Sequence, residues 1–419
     1  MDEPALGPSR DCGADRARTG LDVMSGAQEQ KAMADPRVRE ARYTIPVYGQ
    51  LPFVPERASG CDIFTADGRR ILDLYGGHAV AALGYGHPGL VHAIQEQSSK
   101  LLFQSNMVAL EVRANAAESL VRIAPKGIER VFFVNSGAEA NENALRMACA
   151  ATGRKKILAI TQGFHGRTAA AAAVTWNSEK WYGFPAKPFE VDFIPRDDCD
   201  AALDMIDSDV AAVIVEPVQG VAGAYDLSEN FLRTLRQQTR ALDAVLIADE
   251  VQSGMGRCGQ FFGMQVHDID ADIFTSAKSL GAGIPCGAVL CTQDIASNFG
   301  PGSLGTTFGG GPLAAAAIGA TIHAIESEGL LRNVREREAQ IREQCVVGPV
   351  KSIQGMGLLL GLVCDRPAKE VQSALLEHDI LTGTSSDPEV LRILAPLVLE
   401  STHVEHLAQA LQMLAPTTN

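Results

Sequence analysis

The chain has 419 residues, 46% hydrophobic and 21% charged, a composition typical of a globular protein with a large buried core. Its formal net charge of −14 disfavours non-specific binding to nucleic acid or to an anionic membrane, so neither is an expected partner. The nine cysteines are dispersed and form no CxxC pair, which indicates reduced thiols, a cytoplasmic protein and no metal site. No apolar run approaches the ~20 residues that would span a bilayer.

The composition divides the chain into four parts. Residues 1–40 are polar and contain several acids, and they lack the apolar centre of a signal peptide, so we expect a disordered tail. Residues 41–75 should begin a small domain and include a hairpin at 61–74, turning at Asp67-Gly68. Residues 76–312 should form a large domain, and 313–419 should complete the small one.

Short apolar runs alternate with helical stretches through the middle of the chain. This alternation predicts an α/β fold whose large domain has a mainly parallel sheet covered on both faces. In such sheets, ligands bind at the carboxyl ends of the strands. The predicted strands are Val131–Val134, Ile157–Ile160, Ala212–Val215, Val245–Ala248, Ile273–Thr275 and Ala288–Cys291.

The C-terminal part has weaker signals. The charge density of Glu326–Gln344 predicts one long exposed helix. Residues 355–363 and 390–394 are candidate strands of the small domain.

Polar residues follow several of the predicted strands. Ser136-Gly137-Ala138 follows the first strand and opens a helix, which suits either a phosphate site or an ordinary capped helix. Asp249 follows another strand and needs a partner for its buried charge, either a pyridinium nitrogen or a neighbouring backbone group or Arg257. Lys278 follows a third strand, and it is either a nucleophile or a lysine whose side chain extends into solvent.

The order of these motifs resembles the class III, fold-type I aminotransferases that depend on pyridoxal phosphate (PLP), and is closest to the acetylornithine/ornithine branch. The resemblance implies that fold, with the small α+β domain built from the N- and C-terminal segments. The stretches that carry it are FFVNSGAEANENALRMA (132–148), GFHGRT (163–168), VIVEPVQG (213–220), IADEVQSGMGR (247–257), SAKSLGAGIPCGAV (276–289) and GTTFGGGPLAAAA (305–317).

The resemblance also implies roles for single residues. Lys278 would hold the cofactor as a Schiff base, and Asp249 would pair with its ring nitrogen. The remaining cofactor contacts would be Ser136, Gly137 and Ala138 at the phosphate, Phe164 on the ring, Gln252 near the ring hydroxyl, Glu216 as a nearby acid, and Thr307 reaching the phosphate of a partner subunit.

Three residues match positions that bind substrate carboxylates in this family: Tyr48, Arg167 and Arg392. Arg167 would hold the far carboxylate, and Arg392 would hold the carboxylate of glutamate beside the reacting carbon. The chain departs from the family at three positions. Val221 replaces the glutamate that masks the glutamate-binding arginine, Gly311 replaces an asparagine, and His78 replaces an isoleucine near the substrate entrance.

The expected activity is transfer of the distal amino group of N-acetylornithine, or of a related N-acyl diamino acid, to 2-oxoglutarate by a ping-pong mechanism. It would serve arginine or lysine biosynthesis in a homodimer. The alternatives are an ornithine, 4-aminobutyrate or other ω-amino acid aminotransferase, or a PLP aminomutase or decarboxylase.

Overall fold

The computed structural model describes residues 34–414. Its helices are α1 (Pro36–Tyr43), α2 (Gly76–Ala79, a single turn), α3 (Pro88–Lys100), α4 (Glu111–Ile123), α5 (Gly137–Thr152), α6 (Ala169–Ala173), α7 (Cys199–Met205), α8 (Glu229–Ala241), α9 (Gln293–Ala296), α10 (Pro312–Ser327), α11 (Leu330–Gln344), α12 (Ala368–Glu377) and α13 (Ser401–Met413). Short 3₁₀ turns cover Ser178–Lys180, Gly263–His267 and Lys278–Gly281. None of these described helices is long and apolar enough to cross a membrane.

The strands are β1 (Pro55–Ser59), β2 (Asp62–Thr65), β3 (Arg70–Asp73), β4 (Ile128–Val134), β5 (Lys156–Ile160), β6 (Glu190–Ile194), β7 (Val210–Val215), β8 (Val218–Gln219), β9 (Tyr225–Asp226), β10 (Val245–Asp249), β11 (Ile273–Ser276), β12 (Gly287–Thr292), β13 (Val350–Met356), β14 (Leu359–Cys364), β15 (Ile380–Leu381), β16 (Gly383–Thr384) and β17 (Val390–Ile393).

The largest sheet has the strand order β4-β12-β11-β10-β7-β5-β6. Its strands run parallel except β12, which is antiparallel to both neighbours. Successive residues of β10 belong to two separate apolar clusters, Leu246 and Ala248 to one, and Val245 and Ile247 to the other. Both faces of the sheet are therefore covered, which explains why its inner strands are unbroken apolar runs.

The strands predicted for the largest sheet are confirmed, and in the structure they are longer than predicted by one to three residues. The hairpin at 61–74 is also confirmed, as β2 and β3. Strand β6 was not predicted, because it is an edge strand in which exposed and partly buried positions alternate, so it presents no apolar run.

Smaller sheets lie in the rest of the chain, in the orders β1-β2-β3-β15 and β13-β14-β17-β16. The second joins chain segments on both sides of α12 and contains Arg392 in β17. The unit that ends at Glu56 contains α1, whose N-cap Asp35 accepts a hydrogen bond from the Arg37 amide. This helix includes residues 36–40 of the expected tail, and residues 1–33 lie outside the described residues.

Two C-terminal predictions were wrong because glycines break the elements. The helix predicted at Glu326–Gln344 is interrupted by Gly329 at φ 66°, so α10 ends and α11 starts there. Its exposure was also overestimated, since Leu330, Val334 and Ile341 are buried. The strand predicted at 355–363 is a hairpin, with Gly357 at φ 60° between β13 and β14.

We predict that Gly357→Ala lowers the thermal unfolding midpoint measured by calorimetry. A Cβ at this position would lie 2.2 Å from the main-chain oxygen of Arg257. The left-handed backbone alone costs an L-residue about 1–2 kcal/mol. Gly300→Ala is the control, because a Cβ there meets nothing within 4 Å. Equal midpoints for the two variants would contradict the prediction.

Candidate active site

A cavity of about 480 Å³ opens at the carboxyl edge of the large sheet. Its lining includes nine of the predicted site residues: Ser136, Gly137, Ala138, Phe164, Arg167, Glu216, Asp249, Gln252 and Lys278. They come from the ends of β4, β5, β7, β10 and β11, because parallel strands bring their carboxyl ends to one edge.

The remaining predicted residues do not line this cavity. Thr307 is exposed on the surface. Tyr48 lies in the unit that ends at Glu56 and is 83% exposed. Arg392 is buried in β17, close enough to Lys278 for its charge to lower the pKa of the lysine.

Asp249 is a buried carboxylate at the end of β10, and it accepts hydrogen bonds from amide N–H groups and from a histidine ring. Its Oδ2 is 2.7 Å from both Asn141 Nδ2 and His165 Nδ1, and its Oδ1 accepts from the Val251 amide at 3.0 Å. Of the alternatives considered, the backbone contact is present, whereas Arg257 donates to the carbonyls of Leu358 and Ala395 instead. Thr275 Oγ1 also lies 3.5 Å from Oδ1, but its single proton is directed to Asn141 Oδ1 at 2.7 Å, so one of the about four acceptor positions of the carboxylate remains for an external donor.

Asn141 and His165 were not among the predicted site residues. Asn141 lies one helical turn into α5, and its Nδ2 also donates to the His165 carbonyl at 2.7 Å. Burial disfavours the charged imidazole, but the hydrogen bond and charge of Asp249 and the charge of Glu216 outweigh it and raise the pKa of His165. A polar residue on the buried face of α5, and a histidine inside the GFHGRT stretch, were the available signals.

Glu216 is a buried acid at the end of β7. Its Oε1 accepts a hydrogen bond from the Phe164 amide at 2.8 Å, so it fixes the loop that presents the Phe164 ring to the cavity. Burial raises the pKa of Glu216 to about 7; Asp249 adds to this, while His165, the Phe164 amide and Lys278 oppose it.

Lys278 follows β11 with a left-handed backbone, φ 46°. Within residues 34–414 its Nζ forms no hydrogen bond or ion pair. Burial lowers its pKa to about 8, with Asp249 and Glu216 opposing the shift and Arg392 and Arg257 adding to it. An amine with such a pKa is partly neutral near neutral pH and can act as a nucleophile or a base.

Two guanidinium groups lie at different depths. Arg167 is exposed at the cavity, and its Cζ lies 4.6 Å from the Trp181 ring centroid and 5.8 Å from that of Phe164. Arg392 donates to the carbonyls of Thr384 and Gly220 and to the Tyr75 hydroxyl. In the described part of the chain neither arginine forms an ion pair, so both are available to a ligand carboxylate.

A buried acid and a lysine of lowered pKa at the carboxyl edge of a mainly parallel sheet are groups suited to an enzyme that binds a cofactor ring. The family model of the class-III aminotransferases matches residues 44–415. The chain is 38% identical over 379 residues to the acetylornithine aminotransferase of Corynebacterium efficiens, covering 88% of this chain and 93% of the relative.

A second relative, the acetylornithine aminotransferase of Methanopyrus kandleri, is also 38% identical over 379 residues, with 88% of this chain and 97% of the relative covered. The fold is similar to the crystallised ornithine aminotransferase of Toxoplasma gondii, which has partial occupancy of PLP at its active site. That match has a TM-score of 0.86 and 26% identity, and covers 92% of this chain and 96% of that chain. The chain belongs to the class-III aminotransferases, and the expected fold type, enzyme class and cofactor, pyridoxal phosphate, are confirmed.

The residues present fit this cofactor. Ser136 caps α5, its Oγ accepting from the Glu139 amide at 3.1 Å, and the N–H groups that follow suit a phosphate. Gly137 has no room for a side chain, since a Cβ would lie 2.6 Å from Val251 Cγ1. Gln252 Oε1 is buried and finds no partner among the described residues, so it can accept from a ring hydroxyl.

We predict that His165→Phe slows both half-reactions by about 10- to 100-fold. This is the change in rate expected when the transition state loses the free energy of one hydrogen bond to a charged group. The reason is that His165 acts through Asp249, which serves both substrates equally. Stopped-flow absorbance with an amino donor and with glutamate measures the two rates. His406→Phe, an exposed position, is the control. Loss of one half-reaction alone would argue against a role through Asp249.

A second prediction concerns pH. Lys278 must be neutral to attack an aldehyde, and with a pKa of about 8 its reactive fraction rises with pH up to about 8 and then levels off. The rate at which apoprotein takes up pyridoxal phosphate should follow this curve, as measured by the appearance of visible absorbance. A rate that keeps rising to pH 10 would show that the lysine has an ordinary pKa.

Proposed function

We propose that this aminotransferase moves the distal amino group of N-acetylornithine, or of a related N-acyl diamino acid, to 2-oxoglutarate. The products would be a semialdehyde and glutamate, in arginine or lysine biosynthesis. The observation that carries the proposal is a pair of guanidinium groups: Arg167 lines the same cavity as Lys278, and Arg392 is buried close enough to lower the pKa of Lys278. The acetylornithine aminotransferases among the relatives support the choice of donor.

Pyridoxal phosphate, when bound, supplies an electron-withdrawing ring that takes up negative charge developing at the substrate carbon. Lys278 Nζ removes a proton from that carbon and later delivers one, which its lowered pKa allows near neutral pH. Asp249 would keep the ring nitrogen protonated through its remaining acceptor position. Phe164 would cover the ring, and the hydrogen bond from its amide to Glu216 holds its loop in place.

The two arginines divide the carboxylates of the substrates. Arg167, which is exposed at the cavity, would bind the carboxylate far from the reacting amine. Arg392 would bind the α-carboxylate of glutamate beside the reacting carbon. Both reactions share one site in turn, so the kinetics would be ping-pong.

The alternative donors are ornithine, 4-aminobutyrate and other ω-amino acids. Val221 is the observation that keeps this alternative, because its side chain offers no carboxylate to cover Arg392. Its carbonyl accepts hydrogen bonds from the amide and the hydroxyl of Ser386. A PLP aminomutase is a further alternative that needs no external oxo-acid, so a requirement for 2-oxoglutarate would exclude it.

We also propose that the enzyme acts as a cytoplasmic homodimer in which Thr307 reaches the partner subunit's phosphate site. Thr307 is exposed next to Phe308, which is 65% exposed and whose ring lies 5.2 Å from that of Phe103. Several large apolar side chains that lie close to Phe103 in the sequence are also exposed: Leu101, Leu102, Met107 and Val108. An exposed apolar surface of this kind supports self-association.

The deciding experiment mixes purified holoenzyme separately with N-acetylornithine, ornithine, 4-aminobutyrate and glutamate, and follows cofactor absorbance in single turnovers. We expect fast conversion with N-acetylornithine and glutamate and slow conversion with the other two. Lys278→Ala should slow conversion by at least about 10³-fold, because the proton transfer loses its base. Fast conversion with ornithine or 4-aminobutyrate would move the assignment to those donors.

A further inference from the structure

Arg392 is a buried cation whose three hydrogen bonds all go to neutral acceptors. Its Nε donates to the Thr384 carbonyl at 2.7 Å, Nη1 to the Gly220 carbonyl at 3.2 Å, and Nη2 to the Tyr75 hydroxyl at 3.2 Å. A guanidinium has five N–H donors, so one remains on each of Nη1 and Nη2. Because Nε is engaged by Thr384, a bidentate carboxylate has to bridge Nη1 and Nη2, and the Tyr75 hydroxyl already occupies one of the two N–H groups of Nη2.

The three acceptors differ in how easily they can leave. The carbonyls of Gly220 and Thr384 belong to the main chain, Thr384 in β16 paired with β17, and cannot leave without unfolding a strand or a turn. The Tyr75 hydroxyl belongs to a half-buried side chain, so it can move off Arg392 without breaking a main-chain hydrogen bond. It is therefore the acceptor that an incoming carboxylate can displace.

The chain also provides a second partner for that hydroxyl. His78 Nδ1 lies 2.6 Å from the Tyr75 oxygen, and the two ring centroids are 4.8 Å apart. Burial and the charges of Arg392 and Lys278 lower the pKa of His78, so its ring is neutral and can accept the phenolic proton. A hydroxyl that leaves Arg392 keeps this hydrogen bond, which lowers the cost of its displacement.

The local backbone holds Tyr75 in position. Asp73 Oδ1 accepts from the amides of Tyr75 and Gly76, at 2.8 and 2.9 Å. The Tyr75 ring lies against Gly383, where a Cβ would be 2.0 Å from Tyr75 Cε2. His78 has a left-handed φ of 64°, which directs the turn that follows.

We propose that Tyr75, held by His78, is a neutral and displaceable cover for Arg392 that sets how readily the enzyme accepts a carboxylate beside the reacting carbon. The hydroxyl bonds Nη2 while the N-acyl donor reacts, and gives way to the α-carboxylate of glutamate. A neutral cover leaves the charge of Arg392 uncompensated, so a carboxylate displaces it at less cost than it would displace an ion pair. The proposal rests on the proposed function in taking Arg392 as the binder of that carboxylate.

The test compares wild-type holoenzyme with Tyr75→Phe, using glutarate, a dicarboxylate without an amine, as an equilibrium probe in calorimetry. Loss of the cover should lower the dissociation constant of glutarate by about three- to tenfold, the effect of one hydrogen bond that no longer has to be broken. In single turnovers the half-saturating concentration of glutamate should fall likewise, while that of N-acetylornithine stays within about twofold. A raised glutarate constant would show that Tyr75 helps to bind the carboxylate, and would overturn the proposal.

We expect His78→Ala to change the dissociation constant of glutarate in the direction opposite to Tyr75→Phe. Without its second partner the Tyr75 hydroxyl stays on Arg392, so the dissociation constant of glutarate should rise. The position already holds an L-residue at a left-handed φ of 64°, so alanine meets backbone strain of the same kind that histidine meets. Tyr225→Phe is the matched control, as its hydroxyl bonds Asp197 instead, and it should leave binding unchanged.

The same direction of change in Tyr75→Phe and His78→Ala, or no change in either, would overturn the proposal. Failure of the proposed function has a different signature. Wild-type enzyme would then leave N-acetylornithine unconverted, while the glutarate constants of the variants would still report on the cover.

Discussion

The buried charge of Asp249 is the constraint on which the rest of the site depends. A carboxylate with 3% exposure is costly unless donors surround it, and the protein supplies them from three separate elements. Asn141 comes from α5, His165 from the loop after β5, and the Val251 amide from the turn after β10. Holding one carboxylate therefore fixes the relative positions of the helix, the loop and the turn that surround the cavity.

The same network continues away from Asp249. Thr275 at the end of β11 donates to Asn141 Oδ1 at 2.7 Å, which orients the amide so that its Nδ2 points at Asp249 and the His165 carbonyl. Lys278 follows three residues later, on the same strand end. A displacement of β11 would thus disturb both the acid and the lysine, and this coupling supports treating them as one catalytic unit.

The local sequence was sufficient to predict the inner strands and the residues at their ends. A strand covered on both faces is an apolar run, and it ends where polar residues begin. The local sequence was insufficient for β6, where Val191 and Phe193 alternate with exposed acids, since an edge strand is covered less completely. It was also insufficient for Asn141, His165 and Tyr75. Their roles depend on contacts 108, 84 and 317 residues away along the chain, which no window of local pattern contains.

The reactivity of Lys278 is a balance of charges set by distant parts of the fold. Asp249 and Glu216 favour its protonated form, whereas burial, Arg392 and Arg257 favour the neutral amine. Arg257 is fully buried, and its hydrogen bonds go to the main-chain carbonyls of Leu358 and Ala395, so its charge is not cancelled locally. Burial lowers its pKa to about 10, still high enough to keep it charged at neutral pH. A lysine between two acids would ordinarily be held as an ammonium ion, and a desolvated site with two uncompensated arginines is what keeps this one available as a base.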